Sequence, residues 1–195
     1  IADASEMFTD RDLAGEYTES GSSVITLGEG DVIISEEGTY ILRGSVENAV
    51  VIVDADENAK IQLVLDGVNI SNEDGAAIYV RTADKVFITL ADGTVNTLEN
   101  GGSYTAIDDN NIDAVIFSKC DLTINGSGSL NITATAGHGI VSKDDLRVTG
   151  GTVTVSAEKH GLSGKDSVRI TDAELNITAG KDGIHSENAD KEDKG

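Results

Sequence analysis

The chain has 195 residues and a formal net charge of −21, with 35 acidic and 14 basic residues. Because binding to a phosphate backbone requires a basic surface, this charge excludes nucleic acid as an expected partner. The hydrophobic fraction of 38% is enough for a core, but no apolar run is long enough to span a bilayer. A single cysteine, Cys120, excludes an internal disulfide.

Residues 1–23 are polar and contain a weak helix signal, in which Thr9 or Asp10 could cap a short helix over 12–17. In a fold of stacked strands, the open end has to be covered, because its unpaired backbone groups would otherwise pair with other chains. We therefore interpret residues 1–23 as a linker and a cap over the first coil of the repeat described below.

From Val24 onward, short runs rich in Val and Ile alternate with turns rich in Gly, Asp, Asn and Ser. Such runs are typical of β-strands, and no segment sustains a helical apolar period over several turns. Before residue 91 the runs cover 32–34, 39–42, 50–53, 61–65, 68–70, 78–80 and 86–90. The pattern predicts an all-β fold.

The segment 99–113 interrupts this alternation. Connections of this length without regular structure are usually functional or disordered. The segment contains Asp108, Asp109 and Asp113, together with two neighbouring asparagines. We therefore expect it to be an insertion that projects oxygen ligands from one wall of the fold.

One short pattern recurs along residues 114–186. Ser118, Ser142, Gly164 and Ser186 occupy equivalent positions, at spacings of 24, 22 and 22 residues. Self-similarity at this period indicates a repeat architecture, and each repeat of about 22 residues holds three short strands and three turns, enough for one triangular coil. Residues 24–188 are thus predicted to form one parallel β-helix (a solenoid) of about six to seven coils. Residues 189–195 are predicted to be a charged, frayed tail.

Stacked coils place equivalent residues about 4.8 Å apart, so like side chains form columns. Strand alternation predicts inward apolar columns on two walls. They are Leu122, Leu146 and Val168; Ile124, Val148 and Ile170; Leu130, Val153 and Leu175; and Ile132, Val155 and Ile177. The Ser/Gly positions of the repeat are predicted to form a small internal ladder.

The turns carry the charged columns. Lys119, Lys143 and Lys165 are in register, and another turn places His138, His160 and Asp182 before glycines. Carboxylates stacked in adjacent coils repel each other unless a cation intervenes. Calcium, which takes about six to eight oxygen ligands, is one solution, and pairing with the lysines is the other. The candidate calcium ligands are Asp108, Asp109, Asp113, Asp121, Asp144, Asp145, Asp166 and Asp182.

Few aromatic side chains are available to stack on a neutral sugar. Tyr104 in the insertion is the best candidate, and alternation from Ile116 directs Phe117 outward. A flat cellulose-binding platform is therefore less well supported than an acidic glycan held through calcium. Lys119, Lys143 and Lys165 are the further candidates for contacts with carbohydrate.

A resemblance to a known family rests on S-K-D-D-L-R-V-T-G-G-T-V-T-V-S-A at 142–157, G-K-D-S-V-R-I at 164–170 and A-G-K-D-G-I-H-S-E-N at 179–188. With V-L-D-G-V-N-I at 64–70 and F-T-D-R-D-L at 8–13, nearly the whole chain resembles a family of bacterial surface carbohydrate-binding domains. The resemblance implies a right-handed parallel β-helix with bound calcium, similar to calcium-dependent pectate lyases. It also implies an extracellular location, secreted or attached to the cell surface, and binding of cellulose or acidic sugars.

One feature departs from the family pattern. The family tends to have Asp-Gly-Ile in the third turn, and this chain keeps it only at Asp182, where Gly183 and Ile184 follow. His138 and His160 replace the acid in the two preceding coils.

Three functions are compatible with these features. The leading hypothesis is non-catalytic, calcium-dependent or calcium-stabilised binding of an acidic plant-wall glycan such as polygalacturonate, or of cellulose. The alternative is a calcium-dependent polysaccharide lyase acting by β-elimination, in which Lys143 or Lys165 beside acidic side chains would be the base. The third is a structural or adhesive surface spacer.

Overall fold

The computed structural model describes residues 4–188, which contain two short α-helices, one 3₁₀ turn and eighteen β-strands. The helices are α1 (Ala4–Met7) and α2 (Asp10–Leu13), and the 3₁₀ turn covers Glu19–Gly21. The strands are β1 (Ser23–Leu27), β2 (Val32–Ile34), β3 (Gly38–Glu47), β4 (Val51–Asp54), β5 (Lys60–Asn72), β6 (Ile78–Thr82), β7 (Lys85–Leu90), β8 (Val95–Asn100), β9 (Ala114–Ser118), β10 (Asp121–Gly126), β11 (Ser129–Ala134), β12 (His138–Ser142), β13 (Asp145–Val148), β14 (Thr152–Ala157), β15 (Leu162–Gly164), β16 (Ser167–Ile170), β17 (Glu174–Ala179) and β18 (Ile184–Ser186). The predicted all-β fold is confirmed, and the predicted tail 189–195 lies outside the described residues.

The strands form two parallel sheets that make three walls. Wall 1 is a seven-stranded sheet in the order β2-β4-β6-β9-β12-β15-β18. An eleven-stranded sheet makes walls 2 and 3 together, because the long strands β3 and β5 run through both. Wall 2 contains β1, β7, β10, β13 and β16, and wall 3 contains β8, β11, β14 and β17. This arrangement is that of a β-helix-like solenoid; its right-handed winding and its coil number remain predictions.

The inward columns are present as predicted in the central coils. Leu122 pairs with Leu146 in wall 2 and Leu130 pairs with Val153 in wall 3, and all of these side chains are fully buried. Ile170 is an exception, because it lies on the edge strand β16 and remains exposed. Apolar side chains at equivalent positions of successive coils therefore stack into one continuous core.

The Ser/Gly ladder is also in register. Ser118 pairs with Ser142, and Gly164 pairs with Ser142 and Ser186. The hydroxyls of Ser118 and Ser142 donate to the Cys120 carbonyl oxygen at 2.8 and 3.0 Å. These hydrogen bonds satisfy two buried polar groups inside the fold, so the ladder is structural.

The corner between walls 2 and 3 requires glycine. Gly126 ends β10 with φ +91, and a Cβ at this position would lie 2.3 Å from the Leu90 carbonyl oxygen of the preceding coil. Only a residue without a side chain can combine this left-handed backbone with such a close approach.

The N-terminal segment lies along the outer face of wall 2. The carboxylate of Asp12 is fully buried there, 2.5 Å from Lys85 Nζ, and it accepts a 2.6 Å hydrogen bond from Thr123 Oγ1. Thr149 Oγ1 donates to the Asp12 carbonyl oxygen at 2.5 Å, and Arg169 Nη1 donates to the Met7 carbonyl oxygen at 3.3 Å. These contacts attach the segment to the side of wall 2, where Asp12 pairs with the buried Lys85. The predicted cap over the first coil stays a prediction.

Local sequence positions the carboxylate. Thr9 caps α2: its hydroxyl accepts from the Asp12 amide at 3.2 Å, while Asp12 Oδ2 accepts from the Thr9 amide at 2.8 Å. Burial would raise the pKa of Asp12, but hydrogen bonds from Lys85, Thr123 and Thr9 together lower that pKa to about 2.

Asp12→Asn is expected to lower the free energy of unfolding by about 3 kcal/mol, because it leaves the Lys85 ammonium buried without its carboxylate. Denaturant unfolding measures the difference. Asp10→Asn, an exposed position in the same helix, is the control and should change stability by less than about 0.5 kcal/mol. Equal stability of the two variants would contradict the role given to Asp12.

Stability should also depend on pH through this group. The pKa of Asp12 is about 2 in the folded chain and 3.8 ordinarily, so its contribution is complete above pH 4 and is lost as the pH falls toward 2. The difference amounts to about 2 kcal/mol. The Asp12→Asn variant should lose less stability at low pH than the unchanged chain, and denaturant unfolding at several pH values measures this difference. If the stability of both proteins fell in parallel with pH, the role given to Asp12 would be contradicted.

Candidate functional site

The three lysines of the repeat form a ridge between walls 1 and 2. Lys119, Lys143 and Lys165 are exposed, and we call them the lysine ridge. The amides of Lys143 and Lys165 donate to Ser118 and Ser142 carbonyl oxygens at 2.8 and 3.0 Å, which holds the column in register. Lys143 Nζ also lies 5.7 Å from the centre of the Phe117 ring. The ridge is thus a regular row of positive charge on an acidic protein.

Two of the predicted calcium ligands, Asp121 and Asp145, share one basic partner. Arg147 Nη1 lies 3.0 Å from Asp121 Oδ2, and its Nη2 lies 2.9 Å from Asp145 Oδ2. Asp145 also accepts a 2.7 Å hydrogen bond from Ser167 Oγ. Repulsion between these stacked carboxylates is therefore relieved by a guanidinium, which neither the calcium nor the lysine hypothesis predicted.

Asp144 and Asp166 make the remaining carboxylate column beside the lysine ridge. The Asp166 amide donates to the Asp144 carbonyl oxygen at 3.1 Å, and Asn188 Nδ2 donates to Asp166 Oδ1 at 2.9 Å. Both side chains are half-buried. This column places carboxylates from successive coils at one turn, and carboxylate oxygens are ligands that calcium takes.

The insertion is fixed on the outside of wall 1. Asp108 Oδ2 accepts hydrogen bonds from Tyr79 Oη at 2.8 Å and from Arg81 Nε at 2.9 Å. Its other oxygen accepts from the Asn110 amide at 2.8 Å. Burial would raise the pKa of Asp108, but hydrogen bonds from Asn110, Tyr79 and Arg81 lower it to about 2. Asp108 therefore anchors the loop, whereas Asp109 remains exposed.

A second apolar cluster lies between the insertion and wall 1. Phe117 points outward, as alternation predicts, but it is buried here with Tyr79 and Ile112. Tyr104 packs against this cluster and donates its hydroxyl to the Ala136 carbonyl oxygen at 3.2 Å. Burial raises the pKa of Tyr104. Tyr104, the residue predicted to stack on a sugar, therefore helps to attach the insertion to wall 1.

Two adjoining cavities open at the corner of walls 1 and 3, beside the insertion. The first has a volume of about 190 Å³, with an apolar floor of Val50, Ala76 and Tyr79. The second has a volume of about 260 Å³ and shares Asn48 and Asn72 with the first. We call the two together the polar groove. Its polar lining includes Asp31, Asn48, Asn72, Glu73, Asp74, Glu99 and Thr105.

The polar groove was not predicted from the sequence. Asn72 and Asn100 are paired in the sheet, and both amides donate to backbone carbonyls at the turn beside the groove. This recurrence of Asn at the end of wall 3 was the available signal. It did not reveal that Thr105 from the insertion comes within reach of Asp74, whose Oδ2 accepts from Thr105 Oγ1 at 3.2 Å.

The histidine turn is in register as predicted and gains a member. The His160 amide donates to His138 Nδ1 at 3.1 Å, and the Asp182 amide donates to His160 Nδ1 at 3.2 Å. His185 of β18, which the sequence analysis did not select, stacks on His160 at 4.1 Å between ring centres. Burial lowers the pKa of His160 and of His138.

Asp113 lies in the preceding coil, just before Ala114, which pairs with His138. Its Oδ2 is 3.7 Å from His138 Nε2. Its Oδ1 is buried and has no hydrogen-bond partner among the residues that the structure describes. A buried carboxylate oxygen of this kind needs a compensating partner, and a cation is one chemistry that supplies it.

Comparison with known proteins identifies the family. Residues 28–195 match the family described as carbohydrate-binding domain-containing protein, so the chain belongs to this family. A protein of that description from Acetivibrio thermocellus is 41% identical over 135 residues, which are 68% of this chain and 47% of the relative. The chain thus spans about half the length of this curated relative.

A solved structure has the same fold. It is described as the polysaccharide lyase-like protein from C. thermocellum, in a gadolinium derivative. The similarity has a TM-score of 0.84 and 38% sequence identity, and it covers 89% of this chain and 76% of that chain. Among residues 4–188, no helix is long and apolar enough to cross a membrane.

Asp108→Ala is expected to release the insertion, because Arg81 and Tyr79 lose their shared acceptor. Limited proteolysis should then cut within 101–113 at least about tenfold faster than in the unchanged chain, since two hydrogen bonds of about 1 kcal/mol each are removed. Asp109→Ala, at the exposed neighbour, is the control. Equal cleavage rates in the two variants would contradict the anchoring role.

Proposed function

We propose that this domain binds polysaccharide without cleaving it, and that the glycan occupies the polar groove. The observation that carries this proposal is the groove itself, in which carboxylates and amides surround an apolar floor next to the anchored insertion. Membership of the carbohydrate-binding domain family supports it. Specific pockets generally combine an apolar lining with a few well-placed polar groups in this way.

The dimensions of the groove suit a chain of sugars. A cavity of about 190 Å³ is suited to a single sugar ring, and the adjoining cleft would take the next one. The Asp74 carboxylate can accept hydrogen bonds from sugar hydroxyls, and the Asn48 amide can both donate and accept them. Val50 and Ala76 offer apolar contact to the C–H face of a sugar. Ile107 is exposed at the rim and extends this apolar contact.

The charge of the protein bears on the choice of glycan. Asp31, Glu73 and Asp74 make the groove negative, so a neutral glycan such as cellulose can enter directly, whereas polygalacturonate requires a divalent cation between the two anions. We propose an acidic plant-wall glycan held with calcium as the ligand, with cellulose as the alternative. The lysine ridge would offer a second contact to the carboxylates of the acidic glycan. We therefore also propose that the domain acts outside the cell, secreted or attached to the cell surface.

Calcium is proposed on the chemistry of the donor set. The Asp144–Asp166 column and the unpartnered Oδ1 of Asp113 fit a hard cation. Asp109 and Asp182 are exposed; Asp182 Oδ2 lies beside His160 and His185, so it is not counted in this calcium site. The similar solved structure is a gadolinium derivative, and gadolinium, like calcium, is a hard cation that favours oxygen ligands.

Lyase activity is the second candidate, because the similar solved structure is described as polysaccharide lyase-like. The base would be Lys143 or Lys165, with Asp144 and Asp166 beside it. Both lysines are exposed on the ridge, whereas lysines that act as bases are typically buried. We therefore favour binding without cleavage.

Titration calorimetry and pull-down with polygalacturonate and with cellulose test the binding proposal. The double variant Asp74→Asn, Ile107→Ala should bind at least about tenfold more weakly, because it loses a hydrogen-bonding charge and an apolar contact worth about 1 kcal/mol each. Glu57→Gln makes the same change of charge at an exposed turn before β5 and is the control. Unchanged binding in the double variant would contradict the groove, and no binding to either glycan would favour the spacer function.

Two additions separate the remaining alternatives. A chelator should abolish binding to polygalacturonate but leave any binding to cellulose intact, because only the acidic glycan needs a bridging cation. Ultraviolet absorbance should stay constant during incubation of polygalacturonate with calcium. A growing signal from unsaturated product that disappears in Lys143→Ala or Lys165→Ala would establish the lyase instead.

A further inference from the structure

We propose that His160, Asp182 and His185 form a binding site for a divalent transition metal ion, with Zn²⁺ as the ion that fits best. The site lies at the turn between walls 3 and 1, near the last described strand β18. It is separate from the polar groove and from the Asp144–Asp166 column. It therefore does not rest on the proposed binding of polysaccharide.

The distances between the side chains match a coordination shell. Asp182 Oδ2 lies 3.3 Å from His160 Nδ1 and 3.1 Å from His185 Nδ1. One ligand atom from each residue falls within 4.8 Å of the others. With metal–ligand bonds of about 2.0–2.1 Å, the edges of a tetrahedron are about 3.3–3.4 Å long. Two of the three edges are thus near the required length. Because an imidazole binds a metal along the lone pair in its ring plane, coordination requires the His185 ring to turn out of its parallel stack on His160, so that both nitrogens point at one ion.

The repeat explains why these side chains meet. His160 and Asp182 occupy the same turn position in adjacent coils, and the Asp182 amide donates to His160 Nδ1; an ion bound at that nitrogen would replace this hydrogen bond. His185 comes from β18, just after this turn, and its ring is stacked within 9° of parallel on that of His160. His138 packs on the opposite face of His160 at 5.0 Å between ring centres, so the central ring is held on both sides.

The ligand types select the ion. Two imidazoles and one carboxylate are a donor set typical of zinc and other borderline metals, whereas calcium and magnesium favour shells made of oxygen. Asp182 is exposed and His185 is only partly buried, so an ion can reach the site from solvent. Three protein ligands leave the fourth tetrahedral position open to water or to an oxygen of a bound molecule.

Calorimetric titration of the full chain with Zn²⁺, in the presence of excess Ca²⁺ and Mg²⁺, tests the proposal. The excess cations occupy sites made of oxygen ligands, so we expect one saturable Zn²⁺ site to remain. Asp182→Asn and His185→Gln should each weaken binding on the order of 100-fold, because partners outside the coordination shell are already worth about 10–100-fold. His138→Gln is the matched control from the same stack of rings, and its affinity should stay within about tenfold of the unchanged chain.

A second measurement remains informative if a variant does not fold. Co²⁺ bound by the unchanged chain in a tetrahedral site should give intense visible absorption, whereas Co²⁺ on an octahedral shell of oxygens absorbs weakly. Loss of Zn²⁺ binding in Asp182→Asn and His185→Gln but not in His138→Gln, together with the intense spectrum, would support the site. Absence of a saturable site under excess Ca²⁺, equal affinity in all three variants, or only weak absorption would overturn the proposal.

Discussion

The structure depends on parallel strands that pair in register from one coil to the next. This pairing superimposes equivalent residues about 4.8 Å apart, which is favourable for Leu122 on Leu146 and unfavourable for one carboxylate on another. Inside the walls the consequence is a continuous apolar core. Outside them, each column of like charge needs a compensating group, and Arg147 between Asp121 and Asp145 is one such group. The buried pair of Asp12 and Lys85 is another, and it attaches the N-terminal segment to wall 2.

Function is assigned to the places where the repeat is irregular. The insertion is held on wall 1 by Asp108 and by the second apolar cluster, and its far edge completes the polar groove through Thr105. A rigid solenoid with an anchored loop offers a preformed surface, so little conformational entropy is lost when an extended glycan binds. The histidine turn is a second irregularity, and its stacked imidazoles are the basis of the zinc site proposed above.

Much of the architecture was predictable from sequence because the repeat carries its own register. The spacing of Ser118, Ser142 and Gly164 is enough to pair three strands, and the inward columns follow from alternation. Contacts between segments outside the repeat were not predictable in this way. Nothing near Asp12 indicates that it reaches Thr123 and Lys85, and nothing in the spacing of Asp108 indicates that Arg81 holds it. Asp108, Asp121 and Asp145 were predicted as calcium ligands, and in the folded chain they form ion pairs with arginines. The sequence spacing did not reveal these pairs.

The polar groove could not be predicted for the same reason, because it forms where β-strand ends, a turn and the insertion meet. Its assignment as the glycan-binding surface is therefore the central claim, and mapping of backbone amide chemical shifts tests it most directly. Isotope-labelled protein would be titrated with oligogalacturonates in calcium and with cello-oligosaccharides. The account predicts that the shifts concentrate at 48–50, 72–76 and 105–107. Shifts confined to the lysine ridge at Lys119, Lys143 and Lys165, with the groove unchanged, would contradict it.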